Sequence, residues 1–204
     1  MKHVYQENKK GAPVFVLLHG TGGDETDLIP LAQAINSNFN YLGVRGEVKE
    51  NGMNRFFERV GMGQYNWDDL RNRADQLFEF IKEKSIEYDF DLSDVYLLGF
   101  SNGSNIALEM IFRHPEAFHH AILGAPLYPA NLKDTFDLGH LNVLLSMGKN
   151  DPMAPVQENE RLIEMLKDRG ASVSTHWVEG HNLDQSVVCL LYTSDAADDS
   201  LRVD

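Results

Sequence analysis

The sequence predicts an α/β fold: a mostly parallel sheet covered by helices on both faces. Three observations carry that expectation. Short, near-continuous apolar runs recur, such as Val14-Phe15-Val16-Leu17-Leu18 and Val143-Leu144-Leu145-Ser146-Met147, and a strand with no polar side needs cover on both faces. Amphipathic, helix-like segments separate those runs. Polar or glycine-rich turns follow the runs at their carboxyl ends, where open α/β sheets build their sites.

The elements follow in order. The first strand is 14–18. A helix is expected over 24–35, capped by Asp24, with Leu28, Leu31, Ala32 and Ile35 on one face. A short strand covers 41–44. The stretch 45–65 reads as a long irregular loop, rich in glycine and carrying Met53, Met62 and the pair Phe56-Phe57; loops of that length in compact domains are usually functional. A helix over 68–88 has an apolar stripe of Leu70, Ala74, Leu77, Phe78 and Ile81. Strand 95–99 runs directly into helix 102–113. Strand 120–124, a loop over 127–140, strand 142–147, helix 155–169 and strand 172–178 complete the alternation. No repeat, low-complexity block, linker or large lid domain interrupts it, so residues 1–188 are expected to form a single domain.

The chain has 204 residues, 43% hydrophobic and 24% charged, which suffices for one domain with a full core. Its net charge of −13 argues against nucleic acid or an anionic membrane as partner. The first residues lack the apolar stretch of a secretory signal, and no run approaches a membrane span. A soluble cytoplasmic enzyme is the simplest expectation. The one cysteine, Cys189, leaves no intramolecular disulfide framework. The string Cys189-Leu190-Leu191-Tyr192-Thr193-Ser194-Asp195-Ala196-Ala197-Asp198 resembles translated sequencing-adapter read-through. On that reading residues 189–204 are a non-native tail, and the last helix is truncated near Val188.

Gly99-Phe100-Ser101-Asn102-Gly103 closes the strand Val95-Tyr96-Leu97-Leu98 and opens a helix. A strand that ends in G-x-S-x-G and turns straight into a helix is a nucleophile elbow. Glycine at 99 and 103 removes side chains that would clash in so tight a turn. Ser101 alone could be a helix N-cap, and Asp151, before Pro152, an ordinary turn residue. His181 alone could be a solvent-facing loop histidine. Together they stand just past three strand ends. A serine hydroxyl becomes a nucleophile when an imidazole can take its proton, and a carboxylate on the other ring nitrogen fixes the tautomer. The candidate triad is therefore Ser101, His181 and Asp151, and activity should rise with pH as His181 loses its proton. A tetrahedral intermediate also needs donors; the backbone N–H groups of Asn102 and of Thr21, in His19-Gly20-Thr21-Gly22-Gly23, are the candidates. His19 is expected to hold this loop. His114, His119 and His120 have no accompanying ligand set, and Gly20-Thr21-Gly22-Gly23 lacks a phosphate-loop lysine, so no metal and no cofactor are expected.

These motifs resemble the α/β-hydrolase superfamily, in particular the phospholipase/carboxylesterase family and its small bacterial carboxylesterases. The chain order Ser101, Asp151, His181 is the one that superfamily uses. Leu18-His19-Gly20-Thr21-Gly22-Gly23-Asp24, Gly148-Lys149-Asn150-Asp151-Pro152 and Gly180-His181 resemble its other signatures, and Arg55-Phe56-Phe57 an element of its substrate loop. Asn102 departs from the glutamine of many relatives. The resemblance implies an α/β-hydrolase fold, ester hydrolysis without cofactor on a small-molecule substrate, and leaves a homodimer open. Substrate contacts are expected from Gly22, Met53, Arg55, Phe56, Phe57 and Met153. The expected activity is hydrolysis of short-acyl carboxylic esters through an acyl-Ser101 intermediate. A thioesterase or lysophospholipase would use the same triad, and a non-catalytic ligand-binding protein would keep only the fold.

Overall fold

In the computed structural model, which describes residues 1–61, 63–132 and 134–183, strands and helices alternate along the chain. Strand β1 (His3–Gln6) precedes β2 (Val14–Leu18), helix α1 (Ile29–Ile35) and β3 (Asn40–Val44). Four short strands come next: β4 (Val48–Glu50), β5 (Met53–Arg55), β6 (Arg59–Gly61) and β7 (Gln64–Tyr65). Helix α2 (Trp67–Glu87), β8 (Val95–Phe100), α3 (Asn102–Arg113) and β9 (His120–Gly124) follow. Last among the described residues are β10 (Asn142–Gly148), α4 (Val156–Lys167) and β11 (Ser172–Val178).

Seven strands form one sheet in the order β1-β3-β2-β8-β9-β10-β11. All neighbours are parallel except β1, which runs antiparallel to β3. This is the α/β-hydrolase architecture expected from the sequence. The period of two along each strand divides the core. Val14, Val16, Leu18, Leu97, Leu123 and Leu145 point into one layer, packed by apolar residues of α2, α3 and α4. Phe15, Leu17, Leu98, Ile122 and Leu144 point into the other, packed by Ala32 and Ile35 of α1. Helices thus cover both faces, which explains why the central strands are apolar throughout. Among the described residues, no helix is long and apolar enough to cross a membrane. The expected truncated last helix and the 189–204 tail lie outside the described residues.

Three local expectations are corrected. Helix α1 begins at Ile29, with Pro30 in its first turn, rather than at 24. Asp24 spends its carboxylate on the N–H and hydroxyl of Thr26, at 2.8 and 2.7 Å, which closes a local turn instead of capping a helix. Strand β1 went unpredicted because an edge strand of four half-buried residues carries no apolar run. Its place is held by Tyr5, stacked on Tyr88 at 3.9 Å between ring centroids. The stretch 45–65 is not irregular: β4 pairs with β5 and β6 with β7, making two antiparallel ribbons that stand outside the main sheet.

Candidate active site

The elbow forms where β8 passes into α3. Ser101 sits between them at φ 49° and ψ −110°, a strained conformation for any residue but glycine. Backbone bonds hold it there: its N–H donates to the Gly124 carbonyl at 2.8 Å, and its own carbonyl accepts from Asn105 N–H at 3.0 Å. A Cβ at Gly103 would overlap the Leu18 carbonyl of the neighbouring strand, so the helix can approach β2 only with glycine there. Ser101 occupies the N-cap position of α3, yet its side chain caps nothing. Its hydroxyl donates instead to His181 Nε2, at 2.9 Å.

The two partners come from neighbouring parallel strands. Gly148 at the end of β10 is in register with Val178 at the end of β11, so both loops leave the same sheet edge. The Asp151 side chain is fully buried. One carboxylate oxygen accepts from the N–H groups of Met153 and Ala154, at 2.8 and 3.2 Å. The other accepts from His181 Nδ1, at 2.7 Å. A carboxylate can only accept, so the proton belongs on Nδ1, and the Nε2 lone pair faces the serine hydroxyl. The three predicted residues meet in one continuous relay.

Two backbone donors stand open beside it. Neither Thr21 N–H nor Asn102 N–H donates to another group among the described residues. The Asn102 donor also lies at the amino end of α3, whose aligned peptide dipoles favour negative charge. Gly22 N–H, by contrast, is consumed by the Asn54 carbonyl at 2.9 Å.

The ribbon β4–β5 clamps both donor-bearing segments. Asn54 Nδ2 donates to the Gly23 carbonyl at 2.6 Å, and Arg55 Nη1 to Thr21 Oγ1 at 2.7 Å. Phe56 N–H donates to Asn102 Oδ1 at 2.7 Å. His19 completes the hold from below: Nδ1 donates to the Gly20 carbonyl at 2.6 Å, and Nε2 accepts from Gly46 N–H at 3.0 Å. Burial pushes the His19 ring below its ordinary pKa, which keeps it neutral as this pairing requires.

An open cleft contains Ser101 and His181. Of the residues expected around it, Thr21, Asn102, Arg55 and Met153 line the wall. Phe56 and Phe57 do not. They are 3% and 0% exposed, with their rings against His19 at 4.7 Å and Tyr65 at 4.9 Å. The ribbon turns them into the core, where they anchor the excursion instead of meeting substrate. Gly22 and Met53 lie beside each other but are not part of the cleft wall.

The structure adds Arg59, Tyr65, Asn105 and Leu127 to that wall. Asn105 had a signal: it stands one helical turn past Ser101, hence on the same side of α3. Its Nδ2 donates to the Tyr65 hydroxyl at 2.8 Å, and its Oδ1 accepts from Leu127 N–H at 2.8 Å. Tyr65 in turn donates to the Leu127 carbonyl at 2.9 Å, and burial raises its pKa so that it stays a donor. Arg55, only 4% exposed, is drawn below its usual pKa by burial and then by the nearby charge of Arg59. A guanidinium remains charged through such a shift.

Comparison with known proteins finds a family and relatives of the same fold. A model of the phospholipase/carboxylesterase family matches residues 1–194. The chain is 40% identical to the putative hydrolase MhqD of Bacillus subtilis (strain 168), over 91% of this chain and 92% of that protein. The crystal structure of the Bacillus cereus carboxylesterase is similar with a TM-score of 0.92 and 40% identity, covering 97% of this chain and 94% of that one. The structure of YahD with malic acid has a TM-score of 0.90 and 28% identity, covering 96% and 98% of the two chains.

Proposed function

The chain belongs to the phospholipase/carboxylesterase family, and from that premise we propose that it is a serine carboxylesterase that hydrolyses small, short-acyl esters through an acyl-Ser101 intermediate. The observation that carries the reading is the relay itself, with the hydroxyl of Ser101 2.9 Å from His181 Nε2 and the buried Asp151 carboxylate 2.7 Å from Nδ1.

As Ser101 Oγ attacks the ester carbonyl, His181 Nε2 takes its proton, and Asp151 stabilises the imidazolium that forms. The carbonyl oxygen gains charge and is received by the N–H groups of Thr21 and Asn102. Each such donor supplies about a hundredfold to a thousandfold in turnover. The imidazolium then protonates the leaving alkoxide, and the alcohol departs. Water attacks the acyl-serine with His181 again as base, releasing the acid and restoring the hydroxyl. The modest, open cleft and the apolar side chains of Leu127 and Met153 in its wall suit a short acyl chain. YahD, with malic acid bound, is a case of this fold holding a carboxylic acid, the chemical class of the product.

The test is turnover of p-nitrophenyl butyrate by the wild type and by Ser101→Ala. The variant should lose at least about three orders of magnitude in kcat. Retained turnover would mean a different nucleophile.

A further inference from the structure

Charge is distributed unevenly between the cleft and the rest of the chain. The protein carries 31 acidic against 18 basic residues. Yet the cleft wall holds two arginines, Arg55 and Arg59, and no aspartate or glutamate among the described residues. One carboxylate serves both: Glu50 lies 3.3 Å from Arg55 Nε and 2.9 Å from Arg59 Nε. Two cations against one anion leave a unit of positive charge at the wall. In both pairs the contact to Glu50 is made at Nε. Arg55 Nη2 and both Nη atoms of Arg59 make no hydrogen bond among the described residues. Their side chains are 5% and 25% exposed, so water screens them only partly.

Their position is tied to the reacting centre from two sides. Arg55 Nη1 bonds the hydroxyl of Thr21, whose N–H is a proposed oxyanion donor. Arg59 pairs across its ribbon with Tyr65, and Tyr65 bonds Asn105, whose N–H bonds the Ser101 carbonyl. An acyl chain seated on Ser101 therefore shares its cleft with open guanidinium donors whose fork geometry matches a carboxylate.

We propose that this cleft selects esters that carry a second, free carboxylate, such as half-esters of short dicarboxylic acids, through Arg59 and Arg55. The inference rests on the esterase reading and deepens it. The free carboxylate of such a half-ester is ionised at neutral pH. It would replace the missing second anion and turn Arg59 from a half-paired cation into a specificity-determining group. A neutral ester of the same length would leave that charge unmet.

The experiment compares kcat/KM for monoethyl succinate with that for ethyl butyrate, in the wild type, Arg59→Gln and Arg59→Lys. Reading the ratio within each protein cancels the intrinsic reactivity of the two esters when variants are compared. The wild-type ratio should exceed that of Arg59→Gln by about tenfold or more, with Arg59→Lys between them. Added salt should shrink the wild-type ratio, since the site is partly open. Inhibition of ethyl butyrate hydrolysis in the unmodified protein gives a variant-free reading: succinate should inhibit at about tenfold lower concentration than butyrate. An equal ratio in all three proteins, with succinate no better than butyrate, overturns the proposal while ester turnover stands. Failure to hydrolyse either ester, with no labelling of Ser101 by a fluorophosphonate, overturns the esterase reading and this inference with it.

Discussion

The elbow at 99–103 and the ribbons at 46–65 meet at the same cleft and are held by different means. At the elbow, backbone sterics decide everything: Ser101 has a strained φ of 49°, and α3 approaches β2 so closely that a Cβ at Gly103 would overlap the Leu18 carbonyl. The ribbon β4–β5 has tight points of its own, with Asn51 at φ 49° in its turn and Gly46 against the Arg55 carbonyl. It reaches the site through side-chain and backbone hydrogen bonds, from Asn54, Arg55 and Phe56 to the loops that carry the two proposed oxyanion donors. On the proposed mechanism the elbow places the atom that reacts, and the ribbon helps to hold the segments whose N–H groups receive charge. The elbow holds its serine by sterics with almost no tolerance, whereas the ribbon's hold on the donor loops consists of several bonds that can be lost one at a time.

Alanine in place of glycine tests that contrast most severely. Gly103→Ala must displace α3 from β2, and a cost above about 4 kcal/mol is expected. Gly52→Ala, in the ribbon turn, meets nothing within 4 Å and suffers only its φ of 80°; about 1 kcal/mol is expected. Chemical denaturation of the two variants measures both, and similar costs would break the distinction. A smaller effect should follow Asn54→Ala, which frees the Gly23 carbonyl. It should lower kcat by about tenfold to a hundredfold while changing KM little, because a slightly misplaced donor weakens the transition state more than binding. A loss carried by KM alone would show that the ribbon binds substrate rather than positioning donors.

The smallest effect lies away from both regions. Arg113 on α3 grips Asp75 on α2 with two nitrogens, at 2.7 and 2.5 Å. Hydrogen bonds from Arg113 hold the Asp75 carboxyl below the usual carboxylate range. A depressed pKa contributes stability above the unfolded value and loses it as pH falls through the folded one. The melting temperature of Asp75→Asn should therefore lie below wild type at about pH 7 and approach it towards about pH 3. A gap that widened in acid would reverse that sign. Ester turnover of this variant at neutral pH, set beside that of Asn54→Ala, separates general loosening of the helix layer from loss of the clamp.

The same contrast explains what could be read from the sequence. Sterically demanding sites leave local signatures, so the elbow, the acid loop and the histidine were each visible from a few residues after an apolar run. The central strands were visible because both their faces are buried. The ribbons leave no such signature and look like an irregular loop in sequence, because their strands are two or three residues long and half exposed. Asn51-Gly52 did mark one of their turns, with φ of 49° and 80° joining Glu50 to Met53, and that pair is a strong hairpin signal. Once the ribbon is recognised, alternation separates Arg55 from Phe56, while Phe57, past the end of β5, packs against Tyr65. Arg55 can reach the cleft while Phe56 and Phe57 turn inward. Arg59 could not have been placed at the cleft from spacing alone, since its position depends on a second ribbon with a register shift. Asp24 had the right residue type for a helix cap, but the N–H and hydroxyl of Thr26 two residues on, with Arg45 on its other oxygen, hold it in a turn.

The most direct test of the account is to catch the covalent intermediate. Enzyme mixed with a slowly deacylated p-nitrophenyl ester, quenched in acid and digested, should yield a peptide whose mass is raised by the acyl group, with the modification on Ser101. Unmodified Ser101 during continuing turnover, or an acyl group on another residue, would contradict it.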